Sequence, residues 1–268
     1  MVLTLKQKVV TSTIDEKEKL MSTVIEKRTS EVSVKGPEEF FNMPEEYQDL
    51  VIRQMMVHTE GELSGADDYI HIFYPMTNSA YEKKVCCERA EEEVDHYIKG
   101  AKVLSDIGID TSYMLDQKLE ERNLFATEAV QHIDNWAERA LFSFLGEAAV
   151  LEMLFEMEQS SYLPIAQMCP SIIKEEKVHV AHGFRITREM CQTEDGKKEI
   201  QDALERWWPT TLDMFGKSES KRSSLYLKWG LRQYSNEEAR ERFIAITRPK
   251  LEELGLNIPD DLKNRKFL

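Results

Sequence analysis

Glu93-Val94-Asp95-His96 and Glu176-Lys177-Val178-His179 decide how this chain is read. Each places a glutamate three residues ahead of a histidine, inside a long stretch whose composition predicts helix. At that spacing the carboxylate and the imidazole leave a helix on one side, about a turn apart, so each helix offers one oxygen and one nitrogen to the same centre. A single E-x-x-H word arises easily by chance. Two of them, each preceded by a helix carrying a free-standing glutamate, form the ligand plan of a four-helix bundle that holds a pair of iron ions. The sequence therefore predicts an all-α, ferritin-like four-helix bundle with additional C-terminal helices.

Working outward from these words, Pro44 suits a first helical turn, and Glu45 to about Gly65 reads as the first core helix. It carries Glu60 and Glu62, either of which could supply its carboxylate. Residues 66–76, ADDYIHIFYPM, are aromatic and interrupted by Pro75, which predicts a packed connection. Ser79 and Glu82 form a capping-box pattern at the start of a second helix running to about Ile107, with Gly108 as its stop. Residues 109–133, with a short helix expected at 112–121, have the length of a crossover between two helix hairpins. The third helix, about 134–160, places Glu147 among Leu, Phe, Ala and Val, where a carboxylate needs a proton, a cation or several donors. Pro164 and Pro170 restart the chain, and the fourth helix is expected to end near Glu194-Asp195-Gly196. Glu62 precedes Glu93 by 31 residues and Glu147 precedes Glu176 by 29, an approximate internal repeat. Further helices are expected at 203–214, 222–234 and 236–254, with Trp207 and Trp208 covering the bundle and Pro209 kinking or ending a turn. Residues 1–36 read as a flexible N-terminal arm ahead of a ferritin-like domain over 37–268.

Bulk properties narrow the function classes. A formal charge of −14 opposes nucleic acid or an anionic membrane as the main partner. There is no apolar run of membrane-spanning length and no signal-peptide core, so a cytoplasmic location is expected. Cys86, Cys87, Cys169 and Cys191 have no C-x-x-C spacing and read as reduced thiols.

Iron accepts carboxylate oxygen and imidazole nitrogen, and four carboxylates with two neutral histidines balance two divalent ions. Glu93 and Glu176 are the expected bridges, Glu62 (or Glu60) with His96 completing one iron and Glu147 with His179 the other. A structural zinc site would be four-coordinate instead. His58, His71, His132 and His182 read as ordinary core or interface histidines. Glu92 and Glu175 are either solvated or hydrogen-bonded to the ligating imidazoles.

From about Tyr47 to Pro259 the chain also resembles the catalytic subunits of phenylacetyl-CoA 1,2-epoxidase, a ring-oxygenating di-iron family. The resemblance rests on LVIRQMMVHTEGELSG, EEEVDH, EAAV followed by SSYLPIA, IIKEEKVHVAHGF, RWWP, MFG and the closing RFI and LGLNIPD segments. It selects Glu62 over Glu60, and it matches Glu93, His96, Glu176 and His179 to the family's metal ligands. Glu147 falls where the family typically has aspartate, and residues 66–76 differ from the family's loop. The resemblance implies two iron ions, O2 as co-substrate, an aromatic CoA thioester as the molecule epoxidised, and a non-catalytic ferritin-like partner protein. It also implies electrons from NADPH through a separate flavin/iron-sulfur reductase, for which this chain has no motif of its own. The alternative class is a di-iron oxidase or N-oxygenase acting on another small organic substrate.

Overall fold

The computed structural model describes residues 31–118, 121–122 and 132–268. The bundle is built from α1 (Glu45–Asp67), α2 (Ala80–Asp106), α3 and α4 (Leu163–Met190). Helix α3 comprises Trp136–Leu141 and Glu147–Met157, joined by a π-helical turn at Phe142–Gly146. Three further helices follow: α5 (Glu194–Asp213), α6 (Lys221–Lys228) and α7 (Asn236–Glu253). The described residues contain no sheet, only an isolated bridge between Val34 and Tyr162.

Contacts along the helices give their directions. Glu62 meets His96 while Gly100 lies against Thr59, so α1 and α2 are antiparallel. His179 meets Glu92 and His96 meets Glu175, so α2 and α4 are antiparallel. A Cβ on Gly183 would stand 2.3 Å from the backbone of Ser143, so α4 packs on the π turn of α3 at a distance that only glycine permits. With Glu147 beside Glu176 and His179, this makes α3 and α4 antiparallel. Helices α2 and α3 therefore run the same way, which requires the crossover expected from the length of 109–133. Within that crossover the helix expected at 112–121 is a 3-10 turn at Ser112–Leu115; residues 119–120 and 123–131 lie outside the described residues. So do residues 1–30 of the expected arm, whereas Val34 is buried and its backbone pairs with Ser161 and Leu163.

Local chemistry sets the ends. The Glu82 N–H donates to Ser79 Oγ at 3.3 Å, and Gly108 at φ 81 stops α2. Only half of the expected capping box forms there, because the Glu82 carboxylate instead accepts from His182 Nε2 at 2.9 Å and Arg185 Nη2 at 2.6 Å. The full box is at α7, between Ser235 and Glu238.

Four expectations are corrected. Residues 66–76 are not a separate connection: α1 continues as a π-helical turn over Asp68–Phe73 and ends with Tyr74–Met76. Tyr69 and Phe73 are buried, and continuing the helix keeps their backbone groups bonded. Pro170 does not interrupt α4; it lies on the exposed side of that helix, where the carbonyl it leaves without a partner can be hydrated. Glu194 begins α5 instead of ending α4, because Thr193 Oγ1 accepts from the Gly196 N–H at 3.1 Å, and Pro209 sits inside that helix. Helix α6 stops at Lys228, short of residue 234: Gly230 adopts φ 67, and the N–H groups of Gln233 and Tyr234 leave the helical ladder to donate to Glu156 Oε2. Trp207 and Trp208 are buried in the core.

Candidate metal centre

The four core helices bring six side chains to the middle of the bundle, all of them buried. Glu62, Glu93, His96 and Glu176 can each offer a ligand atom within 4.8 Å of the others. Glu93, Glu147, Glu176 and His179 form a second group on the same criterion. Glu93 and Glu176 belong to both, as bridging carboxylates must. All six residues singled out from the sequence are thus in one place, and Glu60 is in neither group. Gly65 makes room for this arrangement, since a Cβ there would lie 3.1 Å from Glu93 Cδ.

Each imidazole reaches across to the other E-x-x-H helix. His96 Nε2 donates to Glu175 Oε2 at 2.8 Å, and His179 Nε2 donates to Glu92 Oε2 at 2.8 Å. These crossed bonds fix both rings with Nδ1 facing the carboxylates. His96 Nδ1 is 3.1 Å from Glu62 Oε2, and His179 Nδ1 is 3.3 Å from Glu93 Oε1. Glu92 and Glu175 are indistinguishable from solvated residues in the sequence; both reach the surface in an open groove of about 380 Å³, lined also by Glu88, Arg89, Glu91 and Asp95. Arg89 also donates to Glu92, and Lys99 lies 3.9 Å from Glu175.

Two further neighbours escape the sequence reading. His58 Nδ1 is 2.9 Å from Glu62 Oε1, and its place one turn before Glu62 is a usable signal. The Tyr69 hydroxyl donates to Glu147 Oε1 at 3.2 Å. Reading 66–76 as a connection conceals that contact. The other histidines lie elsewhere: His182 binds Glu82, His71 is exposed near Asp67, and the His132 carbonyl accepts from Arg206.

The electrostatics describe a cluster short of positive charge. Burial, followed by the charges of Glu176 and Glu93, pushes Glu147 well above the usual carboxylate range. Burial and the Glu176 charge push Glu93 up to about 7. Burial would raise Glu62 too, but the His58 and His96 imidazoles outweigh it and hold that carboxyl well below its ordinary value. Glu176 is likewise lowered, its burial outweighed by His179 and then His96. Both imidazoles are raised against their burial, His96 by the Glu176, Glu62 and Glu93 carboxylates around its Nδ1, and His179 first by the charge of Glu176. In the metal-free chain, protons on these groups thus supply the positive charge that divalent ions would bring.

The donor set fits a pair of such ions. Four carboxylates and two imidazoles match iron in ligand type and in charge. Buried Glu176 Oε2 and His179 Nδ1 have no hydrogen-bond partner and lie 3.4 Å apart inside the cluster. Each is a ligand atom turned into the cluster.

Comparison with known proteins agrees with this geometry. Residues 96–266, more than half of the chain, match the family model described as phenylacetic acid catabolic protein. The chain is 27% identical over 248 residues to one of the subunits of 1,2-phenylacetyl-CoA epoxidase from Escherichia coli (strain K12), covering 88% of this chain and 76% of that protein. Among the described residues no helix is long and apolar enough to cross a membrane. With its helical bundle and its paired carboxylate–histidine groups, the chain belongs to the phenylacetic acid catabolic protein family and has the framework of a ferritin-like di-iron oxidoreductase.

Proposed function

We propose that Glu62, Glu93, His96, Glu147, Glu176 and His179 hold two iron ions. In this reading Glu93 and Glu176 bridge, Glu62 with His96 completes one site, and Glu147 with His179 completes the other. The chain is then the catalytic subunit of a multicomponent monooxygenase that epoxidises the aromatic ring of phenylacetyl-CoA or a related CoA thioester. The observation that carries this reading is the sharing of Glu93 and Glu176 between two four-residue groups.

When bound by these six residues, two iron ions would supply two-electron activation of O2, with one oxygen atom going to the ring and the other, with two protons, to water. The chain's residues provide the setting. The crossed bonds to Glu92 and Glu175 keep both Nδ1 atoms inward, and those carboxylates also connect the buried imidazoles to the solvated groove. An apolar cluster containing Tyr69, Phe73, Ala90, Phe144 and Ala148 excludes water beside the site. The acidic groove opposes entry of an anionic CoA group, so in this reading the thioester does not enter through it.

The electrons come, in this proposal, from NADPH through a separate flavin/iron-sulfur reductase. A non-catalytic ferritin-like subunit joins the chain in a cytoplasmic complex. The difference at position 147, glutamate in place of aspartate, favours one second reading: the same iron pair serving a di-iron oxidase or N-oxygenase with another small substrate. The test is turnover with NADPH, reductase, ferritin-like partner, labelled O2 and phenylacetyl-CoA. Incorporation of one labelled atom into a ring epoxide supports the proposal. Iron-dependent O2 consumption that leaves every aryl-CoA thioester in a panel unchanged overturns it in favour of the second reading.

A further inference from the structure

Tyr69 differs from the other buried tyrosines in the partner of its hydroxyl. Tyr97 and Tyr226 donate to the backbone carbonyls of Thr111 and Leu50, and Tyr47 pairs with Ser161. Tyr69 instead donates to Glu147, one of the six clustered residues, at 3.2 Å. Its ring is 1% exposed and meets the His179 ring edge-on at 6.1 Å between centroids. It stands within the π turn that follows α1, a departure from α-helical geometry of the kind often found at functional sites. Aromatic rings continue outward from it: Phe73 at 5.3 Å, Phe142 at 5.8 Å from Phe73, and Trp207 at 5.4 Å from Phe142. Phenylalanine resists one-electron oxidation, so Tyr69 and Trp207 are the oxidisable members of this column.

We propose that Tyr69 is a redox-active residue of the metal centre, an inference that rests on the di-iron reading above. Reducing O2 to two waters takes four electrons and four protons; with no substrate present, two Fe(II) ions bound by the six residues would give two of these electrons, the reductase or excess Fe(II) a third, and Tyr69 the fourth. The phenolic O–H bond breaks, the proton moves along the existing hydrogen bond to the Glu147 carboxylate, and a neutral phenoxyl radical remains. With that fourth electron delivered, the iron pair would be left as two ferric ions. An electron from the reductase and the return of the proton restore the phenol. The hydrogen bond is what makes this possible, since oxidising a buried phenol without a proton acceptor would leave an uncompensated cation in the core. The device draws oxidising equivalents away from the apolar walls, where they would damage side chains.

A hydroxyl that merely satisfied a hydrogen bond would occupy the same position, so the test must detect oxidation. The full chain is loaded anaerobically with excess Fe(II), the coupled pair is verified by Mössbauer spectroscopy, and the sample is mixed with O2 without substrate and freeze-quenched for electron paramagnetic resonance. The expected result is an organic radical whose hyperfine pattern changes when ring-deuterated tyrosine is incorporated. Tyr69→Phe should lose this signal while keeping the iron content and the spectrum of the reduced pair. Absence of the radical from the loaded and oxidised native chain overturns the proposal. So does a radical that survives in Tyr69→Phe, or one that responds to labelled tryptophan and not to labelled tyrosine. A chain that forms no coupled iron pair removes the di-iron reading, and the proposal with it, at the Mössbauer step.

Discussion

Helix α3 carries three buried glutamates that meet different ends. Glu152 accepts from Arg242 Nε at 3.1 Å, and Glu156 accepts from the backbone N–H groups of Gln233 and Tyr234 at 3.1 and 3.0 Å. Both tie the C-terminal helices to the bundle. Glu147, on the same helix, receives a single Tyr69 hydroxyl and otherwise faces more carboxylates and an imidazole. Burial alone therefore does not mark a site. A buried carboxylate whose donors come from the chain itself is part of the framework, while one left among like charges is built for a cation from outside.

The largest expected effect separates the two ends of this comparison. Glu93→Ala or Glu176→Ala should remove the coupled iron pair and lower turnover by more than ~100-fold, since losing even an outer partner of a ligand costs about 10–100-fold. Iron analysis, Mössbauer spectra and product formation check this. Retention of a native coupled spectrum in both variants would sink the assignment of bridges.

Glu156→Leu tests the framework end. It strips the acceptor from two buried N–H groups, at about 1–3 kcal/mol each. Denaturant unfolding should show that loss, while iron content stays native in the protein that remains folded. An iron-depleted but fully stable variant would reverse the roles given to the two glutamates.

A smaller effect is expected at the rim. Glu92→Ala or Glu175→Ala frees the outer nitrogen of one imidazole, and iron affinity should fall by about 10–100-fold without loss of fold. Competition with a chelator gives the measurement. Unchanged affinity in both would return these carboxylates to the role of solvated residues.

The smallest effect has the opposite sign. In a Tyr69→Phe background, which removes the hydroxyl that would otherwise lose its acceptor, Glu147→Leu takes out a carboxyl that burial and its acidic neighbours disfavour in ionised form, so the metal-free protein should gain about 1 kcal/mol over Tyr69→Phe alone. The same variant should lose the rise in melting temperature that Fe(II) gives the native chain. Thermal unfolding with and without Fe(II) reads both, and a metal-free double variant less stable than Tyr69→Phe alone would place Glu147 with Glu156 in the framework.

What the sequence reveals follows from how local each signal is. The E-x-x-H words are readable because ligand spacing within one helix is fixed by the helix itself, and Gly108 and Gly255 end α2 and α7 at positive φ as expected. Glu62 cannot be chosen over Glu60 from the residues, because that choice depends on which side of α1 meets α2, a matter of packing. Glu147 is legible through its 29-residue spacing to Glu176, whereas the framework role of Glu156 is not, because its donors lie 77 and 78 residues further along the chain. The early end of α6 has the same remote cause. Pro75 conceals the continuation of α1 through a π turn, and Tyr69 with it.

The central claim is that the unsatisfied carboxylates surround two coupled metal ions, and Mössbauer spectroscopy of the chain loaded anaerobically with Fe(II) and then exposed to O2 tests it most directly. The account predicts two ferric ions per chain, one for each of the two four-residue groups, coupled through the shared carboxylates into a diamagnetic ground state. A single iron per chain, or two magnetically isolated irons, would contradict it.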